Sequence, residues 1–149
     1  MIDVDAPEGY RLLSNGTEAK LWNEGGRSRG RFEQPEPMPA YLFTVVAAKL
    51  DQLDSHWRGR PVRYFAPSGR AEHLERSMGR TPAMIEAFSK RLGFDYPWPR
   101  YDQVVVDDFI FGGMENVACT TMADVLLVDE KGAVHWDPDG LVSHELAHQ

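Results

Sequence analysis

The sequence predicts an α+β fold in which an antiparallel β region is followed by a mixed region of helices and strands. Short strand-like runs separated by turn residues fill the chain up to about Phe65, whereas the helical spacing of apolar residues starts only after Arg70. The hydrophobic content of 42% and the aromatic content of 11% are typical of a globular chain with a packed core. We therefore expect a boundary near residues 66–69 and two units, residues 1–67 and residues 68–149.

The first unit consists of short strands joined by turns. Glycine, asparagine and proline mark the turns, and β-branched and aromatic residues mark the strands between them. The predicted elements are, in order, a strand at 10–13, a hairpin-type turn at 14–16, a Gly- and Arg-rich turn at 25–30, a proline-stiffened connection at 34–39, a strand at 41–50 and a strand at 62–65.

The second unit begins with a helical stripe. Residues at alternating steps of four and three lie on one helix face, and here they are Leu74, Met78, Thr81, Ile85, Phe88 and Leu92. Gly79 and Pro82 interrupt this stripe, which predicts either a kink or two helices that meet there. Gly93 is a suitable residue to end the second helical stretch.

Two strands and a last helix are expected after this stripe. The valines at 104–106 predict a buried strand, and residues 125–128 also have strand-like composition. Asp137 is a candidate cap for the last helix, with Pro138 in its first turn.

The last predicted helix carries the pattern H-E-x-x-H, formed by His144, Glu145 and His148. Positions i and i+4 lie on one face of a helix, about 6 Å apart along its axis, so both imidazoles can reach one metal ion. Glu145 could then act as general base for a metal-bound water. The pattern fixes only three residues, and an ordinary amphipathic helix with two exposed histidines is the alternative.

A second motif is the run Gly-Gly-Met-Glu-Asn at residues 112–116. Two glycines leave no side chain above the backbone, so an extended peptide could approach it by strand addition. Glu115 could bind the α-ammonium group of such a peptide through a charge-assisted hydrogen bond. Taken alone, the run is better explained as a glycine turn that carries a solvated glutamate.

Together, the two motifs resemble the aminopeptidase N family of zinc metallopeptidases. The signature of that family is G-[AG]-M-E-N, followed about 25 to 35 residues later by H-E-x-x-H. Residues 37–42 and 96–102 also resemble segments of the family. The resemblance implies that residues 1–67 are the end of an N-terminal β-domain. Residues 68–149 would be the first part of a thermolysin-like catalytic domain, truncated after the second motif.

The resemblance also implies a role for each motif residue. Zn2+ would be the cofactor, with His144 and His148 as ligands and Glu145 as general base. Glu115 would bind the free N-terminus of a peptide substrate, and the cleft would be lined by its neighbours Gly112, Gly113 and Met114. In the family, the third zinc ligand is a glutamate about 19 positions after the second histidine, beyond Gln149. We therefore expect the 149-residue chain to have no measurable peptidase activity and a full-length parent to have it.

Composition limits the partners and the location. The net charge of −7 argues against nucleic acid or an anionic membrane as the partner. There is no apolar run of about 18 residues that would predict a membrane span. The single cysteine, Cys119, excludes an internal disulfide and favours an intracellular, cytoplasmic location.

Two alternatives to a zinc aminopeptidase stay open at this stage. One is a zinc endopeptidase that has the same helix but no N-terminal anchor. The other is a non-catalytic binding or structural homologue that has lost the metal. The sequence predicts no particular oligomeric state and no particular side chain at the cleaved position.

Overall fold

The computed structural model describes all 149 residues and contains ten strands and three α-helices. The helices are α1 (Ala71–Met78), α2 (Thr81–Leu92) and α3 (Asp139–Ala147). The strands are β1 (Ile2–Pro7), β2 (Arg11–Ser14), β3 (Thr17–Glu24), β4 (Arg27–Glu33), β5 (Val45–Ala48), β6 (Leu50–Trp57), β7 (Arg60–Pro67), β8 (Tyr101–Val106), β9 (Gly113–Met114) and β10 (Cys119–Ala123).

These strands form three sheets. A three-stranded antiparallel sheet has the order β1-β4-β3, β2 pairs with β5, and a mixed five-stranded sheet has the order β6-β7-β8-β10-β9. In the mixed sheet, β7, β8 and β10 are parallel, whereas β6 and β9 run antiparallel to their neighbours at the two edges. Antiparallel sheets, a mixed sheet and packed helices confirm the predicted α+β class.

The mixed sheet takes strands from both sides of the predicted boundary at residue 67. β6 and β7 precede it, and β8, β9 and β10 follow it. A parallel pair requires a crossover connection, which α1 and α2 provide between β7 and β8. The division into units 1–67 and 68–149 stays a prediction.

The largest core lies between the mixed sheet and the three helices. It contains fourteen buried apolar residues, among them Val105 and Met122 from the sheet and Val142 and Leu146 from α3. Complete burial of one such side chain stabilises the fold by about 1.5–3 kcal/mol. α3 is thus fixed against the sheet by its apolar face, and the opposite face, with His144, is exposed. None of the three helices has the length and hydropathy needed to cross a membrane.

The interrupted helical stripe forms two separate helices, which is one of the two outcomes predicted from Gly79 and Pro82; the other was a kink. α1 ends at Met78, α2 starts at Thr81, and Gly93 follows α2 with a φ of 67° in the left-handed region. This conformation favours glycine because glycine has no Cβ. Leu92, the last member of the stripe, is 72% exposed and does not belong to the core.

Several predicted strands and turns are wrong in pairing or extent. The turn at 14–16 is not a hairpin, because β2 pairs with β5 and β3 pairs with β4. The Gly- and Arg-rich turn is confined to Gly25 and Gly26, and Gly30 lies within β4. The segment is a strand because its backbone pairs with both β1 and β3. Its arginines also pair with acidic residues of β1, as Arg31 does with Asp3.

Two further segments differ from their predicted strands. The strand at 41–50 is replaced by a 3-10 turn at Ala40–Leu42, then β5, and a break at Lys49 before β6. Strand structure ends at Ala123, and residues 125–128 lie in a 3-10 turn and the loop after it. α3 begins at Asp139, so Pro138 precedes it, and Asp137 accepts a hydrogen bond of 3.0 Å from the backbone N–H of Asp139.

Buried charged residues join the β2–β3 corner to the mixed sheet. Arg100 is 5% exposed, and its guanidinium donates hydrogen bonds to the backbone carbonyls of Gly16 (2.7 Å) and Ser14 (2.5 Å). Asp102 is completely buried and accepts two hydrogen bonds from Arg63, at 2.7 and 2.8 Å. Such paired and hydrogen-bonded charges are those that a protein interior tolerates.

Asn15, in the same corner, is completely buried. Its side-chain nitrogen donates hydrogen bonds to the carbonyls of Leu42 (3.0 Å) and Val117 (2.9 Å), and its side-chain oxygen accepts one from the N–H of Thr44 (2.8 Å). Asn15 therefore connects the β2–β3 corner, the 3-10 turn before β5 and the loop between β9 and β10.

We expect Asn15→Ala to lower the free energy of unfolding by about 2–4 kcal/mol, because it leaves several buried backbone groups without a partner. The measurement is urea denaturation followed by circular dichroism. Asn23→Ala is the matched control, since Asn23 is exposed on β3 and its loss should change the stability by no more than about 0.5 kcal/mol. Equal effects of the two substitutions would contradict the role assigned to Asn15.

Candidate active site

The two histidines of the H-E-x-x-H pattern lie on the exposed side of α3. His144 is in the last turn, and His148 follows Ala147 with its backbone still in the helical region. Their Nε2 atoms are 3.3 Å apart, and the two rings are nearly perpendicular, at 75°. The two Nε2 atoms are therefore close enough to share one ion.

This separation fits a zinc ion. At a tetrahedral zinc with Zn–N distances of about 2.0–2.1 Å, two ligand nitrogens lie about 3.3–3.4 Å apart. Neutral imidazole nitrogens are also common zinc ligands. No group of three or more His, Cys, Asp or Glu side chains is clustered for metal binding, so the donor set within the chain consists of two imidazoles.

Glu145 lies on the inner side of α3 and is only 4% exposed. Its side chain rests on the backbone of Gly113 in β9. A Cβ atom at position 113 would lie 2.5 Å from Cδ and 2.6 Å from Cγ of Glu145. Burial raises the pKa of Glu145, the charge of Glu115 acts in the same direction, and His144 and His148 oppose the change. A raised pKa suits a carboxylate that accepts a proton near neutral pH.

The space above the two glycines is occupied by α3. A Cβ atom added to Gly112 would lie 3.2 Å from the side chain of Leu141 in α3. A Cβ atom added to Gly113 would overlap the side chain of Glu145. The approach of a substrate backbone to the two glycines stays a prediction. The structure shows a packing role for both glycines, which let this segment lie close to α3.

β9 is an edge strand of the mixed sheet. Met114 pairs with Thr121 and Gly113 with Met122 of β10, and the other edge of β9 is unpaired. Glu115 follows β9 and is half-buried. The negative charge of Glu115 contributes to the raised pKa of Glu145.

Asn116, the last residue of the second motif, holds the loop in place. It is 4% exposed, its side-chain oxygen accepts a hydrogen bond from the hydroxyl of Thr121 (2.9 Å), and its side-chain nitrogen donates to the carbonyl of Leu42 (3.3 Å). The structure thus brings the second motif into direct contact with α3, and Asn116 attaches it to β10 and to the turn before β5.

Sequence reasoning missed Gln149. Its side chain hydrogen-bonds three backbone groups of the loop that follows β9, at Glu115, Asn116 and Ala118. The only sequence signal for Gln149 is its position directly after His148. Cys119 is completely buried in the core, and burial raises the pKa of its thiol to about 11, which excludes a reactive thiolate and agrees with its interpretation as a core residue.

His144 and His148 lie one helical turn apart on the exposed face of α3. Glu145 stands between them in the sequence and lies against β9, which has a free edge. Two imidazoles and a carboxylate on one helix are a donor arrangement that metal-dependent hydrolases use. Residues 76–149 match the family model described as "Peptidase family M1 domain". This match covers the last three residues of α1, all of α2 and α3, the glycine motif and the H-E-x-x-H pattern.

Similar proteins have names of the same kind. The chain is 31% identical over 141 residues to "Aminopeptidase 2, mitochondrial" of Saccharomyces cerevisiae, an alignment that covers 92% of this chain and 15% of the relative. It is 28% identical over 154 residues to "Aminopeptidase N" of Acetobacter pasteurianus, covering 99% of this chain and 43% of the relative. It is 29% identical over 157 residues to human "Glutamyl aminopeptidase", covering 99% of this chain and 16% of the relative.

The family match and the names of the relatives support the M1 peptidase family for this chain. They support a peptidase, and so a hydrolase, in agreement with the resemblance stated from the motifs. The chain spans between 15% and 43% of the length of these three relatives.

Proposed function

We propose that this chain forms part of the active site of a zinc-dependent aminopeptidase, an enzyme that removes N-terminal residues from peptides. The observation that supports this function most is the packing of α3 on β9. Glu145 rests directly on Gly113, two residues before Glu115. The residues with metal-hydrolase chemistry and the residue with affinity for an ammonium group are thus neighbours.

In this proposal His144 and His148 would hold the zinc ion. Zinc held there would lower the pKa of a bound water towards neutrality and would polarise the scissile carbonyl. Glu145 accepts the proton of the attacking water at its carboxylate, which its raised pKa suits. The same carboxylate can then donate this proton to the leaving amine. Because its side chain is packed against Gly113, it is held in place for both transfers.

The free edge of β9 would bind the substrate backbone by strand addition, with side chains of the peptide directed alternately to the two sides. Glu115 would form a charge-assisted hydrogen bond with the α-ammonium group at the end of this peptide. An internal peptide segment has no charge at that place and would leave the Glu115 carboxylate poorly paired. Glu115 and the histidine pair together would therefore select the first peptide bond.

The preferred partners are thus peptides with a free N-terminus. Nucleic acid remains a disfavoured partner because of the net charge of −7. An intracellular location is also part of the proposal and rests on the single, buried cysteine. One relative carries the word mitochondrial in its name.

The experiment that tests this function uses Glu115→Ala in the complete gene product and measures hydrolysis of an aminoacyl p-nitroanilide. We expect kcat/KM to fall about 10- to 100-fold, the effect of losing one hydrogen bond to a charged group. Glu8→Ala is the control, because Glu8 is an exposed glutamate before β2, and it should retain the rate.

Two other results would replace the proposal. If N-acetylated peptides are cut as fast as peptides with a free amine, the protein is an endopeptidase with the same helix. If the complete gene product binds no stoichiometric zinc and hydrolyses neither substrate, it is a non-catalytic homologue.

A further inference from the structure

The side chain of Gln149 connects the end of α3 to the loop after β9. Its oxygen accepts a hydrogen bond of 2.9 Å from the backbone N–H of Ala118. Its nitrogen donates to the carbonyl of Glu115 at 3.2 Å and to that of Asn116 at 3.4 Å. The backbone of Gln149 is itself held in the last turn by a hydrogen bond to the carbonyl of Leu146, at 3.1 Å.

The loop that Gln149 binds has a strained backbone. Ala118 is completely buried and has a φ of 59°, in the left-handed region that non-glycine residues rarely adopt. Such a conformation persists only where the surroundings hold it. Both backbone groups of Ala118 are held, its N–H by Gln149 and its carbonyl by the N–H of Asp102, at 2.9 Å.

The other amide side chains at this loop connect it to different parts of the fold. Asn15 and Asn116 link the loop to the carbonyl of Leu42 in the turn before β5. Gln149 alone among these amides follows directly after the end of α3 that carries the histidine pair. Its hydrogen bonds are therefore the direct polar link between the backbone of Glu115 and the metal-binding end of the helix.

We propose that Gln149 is a positioning residue that sets the place of Glu115 relative to His144 and His148, and so makes the free amine of the substrate bind in register with the metal. This inference rests on the proposed aminopeptidase function. Gln149 touches neither the substrate nor the reacting atoms, and it acts through the backbone of Glu115.

A glutamine is suited to this task because one planar group offers both an acceptor and two donor hydrogens. Methionine has a similar length and shape but can form none of these hydrogen bonds with comparable strength. Glutamate keeps the acceptor for the Ala118 N–H but loses both donors, and it would place a negative charge against two carbonyl oxygens.

The experiment compares Gln149→Met, Glu115→Ala and the double variant in the complete, zinc-loaded gene product. The inhibitor is an amino-acid amide, made from the amino acid that the enzyme cleaves fastest. Its inhibition constant is measured for each variant, and the N-acetylated amide serves as the reference without a charged amine. We expect Gln149→Met to weaken binding of the free-amine inhibitor about tenfold and to raise KM similarly. The kcat at saturation should change less than about twofold, and the zinc content should equal that of the unmodified protein.

The double variant distinguishes positioning from general support of the fold. If Gln149 acts through Glu115, adding Gln149→Met to Glu115→Ala should produce no further loss of inhibitor binding. Gln52→Met serves as the control for a glutamine-to-methionine change on a strand away from the site, and its kinetics should match those of the unmodified protein.

The outcomes distinguish failure of the inference about Gln149 from failure of the proposed aminopeptidase function. If Glu115→Ala weakens amine binding but Gln149→Met does not, the inference about Gln149 is wrong and the proposed function stands. The inference is also wrong if Gln149→Met weakens inhibitor binding as much in the Glu115→Ala background as in the unmodified protein. A loss of zinc from the Gln149→Met protein would overturn it as well. If Glu115→Ala itself leaves amine binding unchanged, the aminopeptidase proposal fails and the inference fails with it.

Discussion

Glu145→Gln is expected to lower kcat of the complete gene product about 10²- to 10⁴-fold, the range over which a positioned general base contributes. Glutamine has nearly the same shape as glutamate but cannot accept the proton of the attacking water. The position is 4% exposed and packed on Gly113, so a replacement of the same size preserves the contact. The measurements are kcat on an aminoacyl p-nitroanilide and zinc content by elemental analysis.

A second variant separates loss of the base from loss of the metal. Glu145→Gln should keep the zinc content of the unmodified protein, because both imidazole donors remain. His148→Ala removes one of the two Nε2 atoms that lie 3.3 Å apart, and it should lose zinc and activity together. If Glu145→Gln retained its full kcat, another group would have to accept the proton.

Gly113→Ala is expected to lower kcat about 10²-fold while the fold stays intact. The new methyl group would occupy the space of the Glu145 side chain, whose Cδ lies 2.5 Å from the position of the added Cβ. The atoms it meets belong to the end of a flexible side chain, so the carboxylate moves and the backbone does not have to. Displacement of a catalytic group by about 1 Å is enough for a rate loss of this order.

The control is Gly140→Ala in α3, where an added Cβ would have no neighbour within 4 Å. Alanine is a better helix former than glycine by about 1 kcal/mol, so this variant should be at least as stable and equally active. Thermal unfolding and kcat, measured for both variants, test the pair. A Gly113→Ala protein with normal kcat would show that Glu145 has room to bypass the methyl group.

Local signals in the sequence predicted local features correctly. Gly79 and Pro82 predicted the break between α1 and α2, and Gly93 predicted the end of α2. The same kind of signal at residues 14–16 marked a real turn but suggested the wrong pairing. The partner of β2 is β5, about thirty residues further along, and no local pattern specifies such a non-local choice.

In the candidate site, too, local features could be predicted from the sequence and non-local contacts could not. The spacing of His144 and His148 is a property of one helix and could be derived from the sequence, and their 3.3 Å separation agrees with it. The reason for Gly113 could not, because the atom that fills the space above it comes from α3. Gln149 belongs to no pattern, since its partners are backbone groups that every residue has.

The hydrogen bond between Asn15 and the carbonyl of Val117 joins residues 102 positions apart. During synthesis on a ribosome, the asparagine emerges long before the loop that it will hold. The loop that carries Glu115 therefore reaches its final shape late, after β10 and α3 have also been made. The order of translation therefore delays the assembly of this loop until the surrounding structure is present.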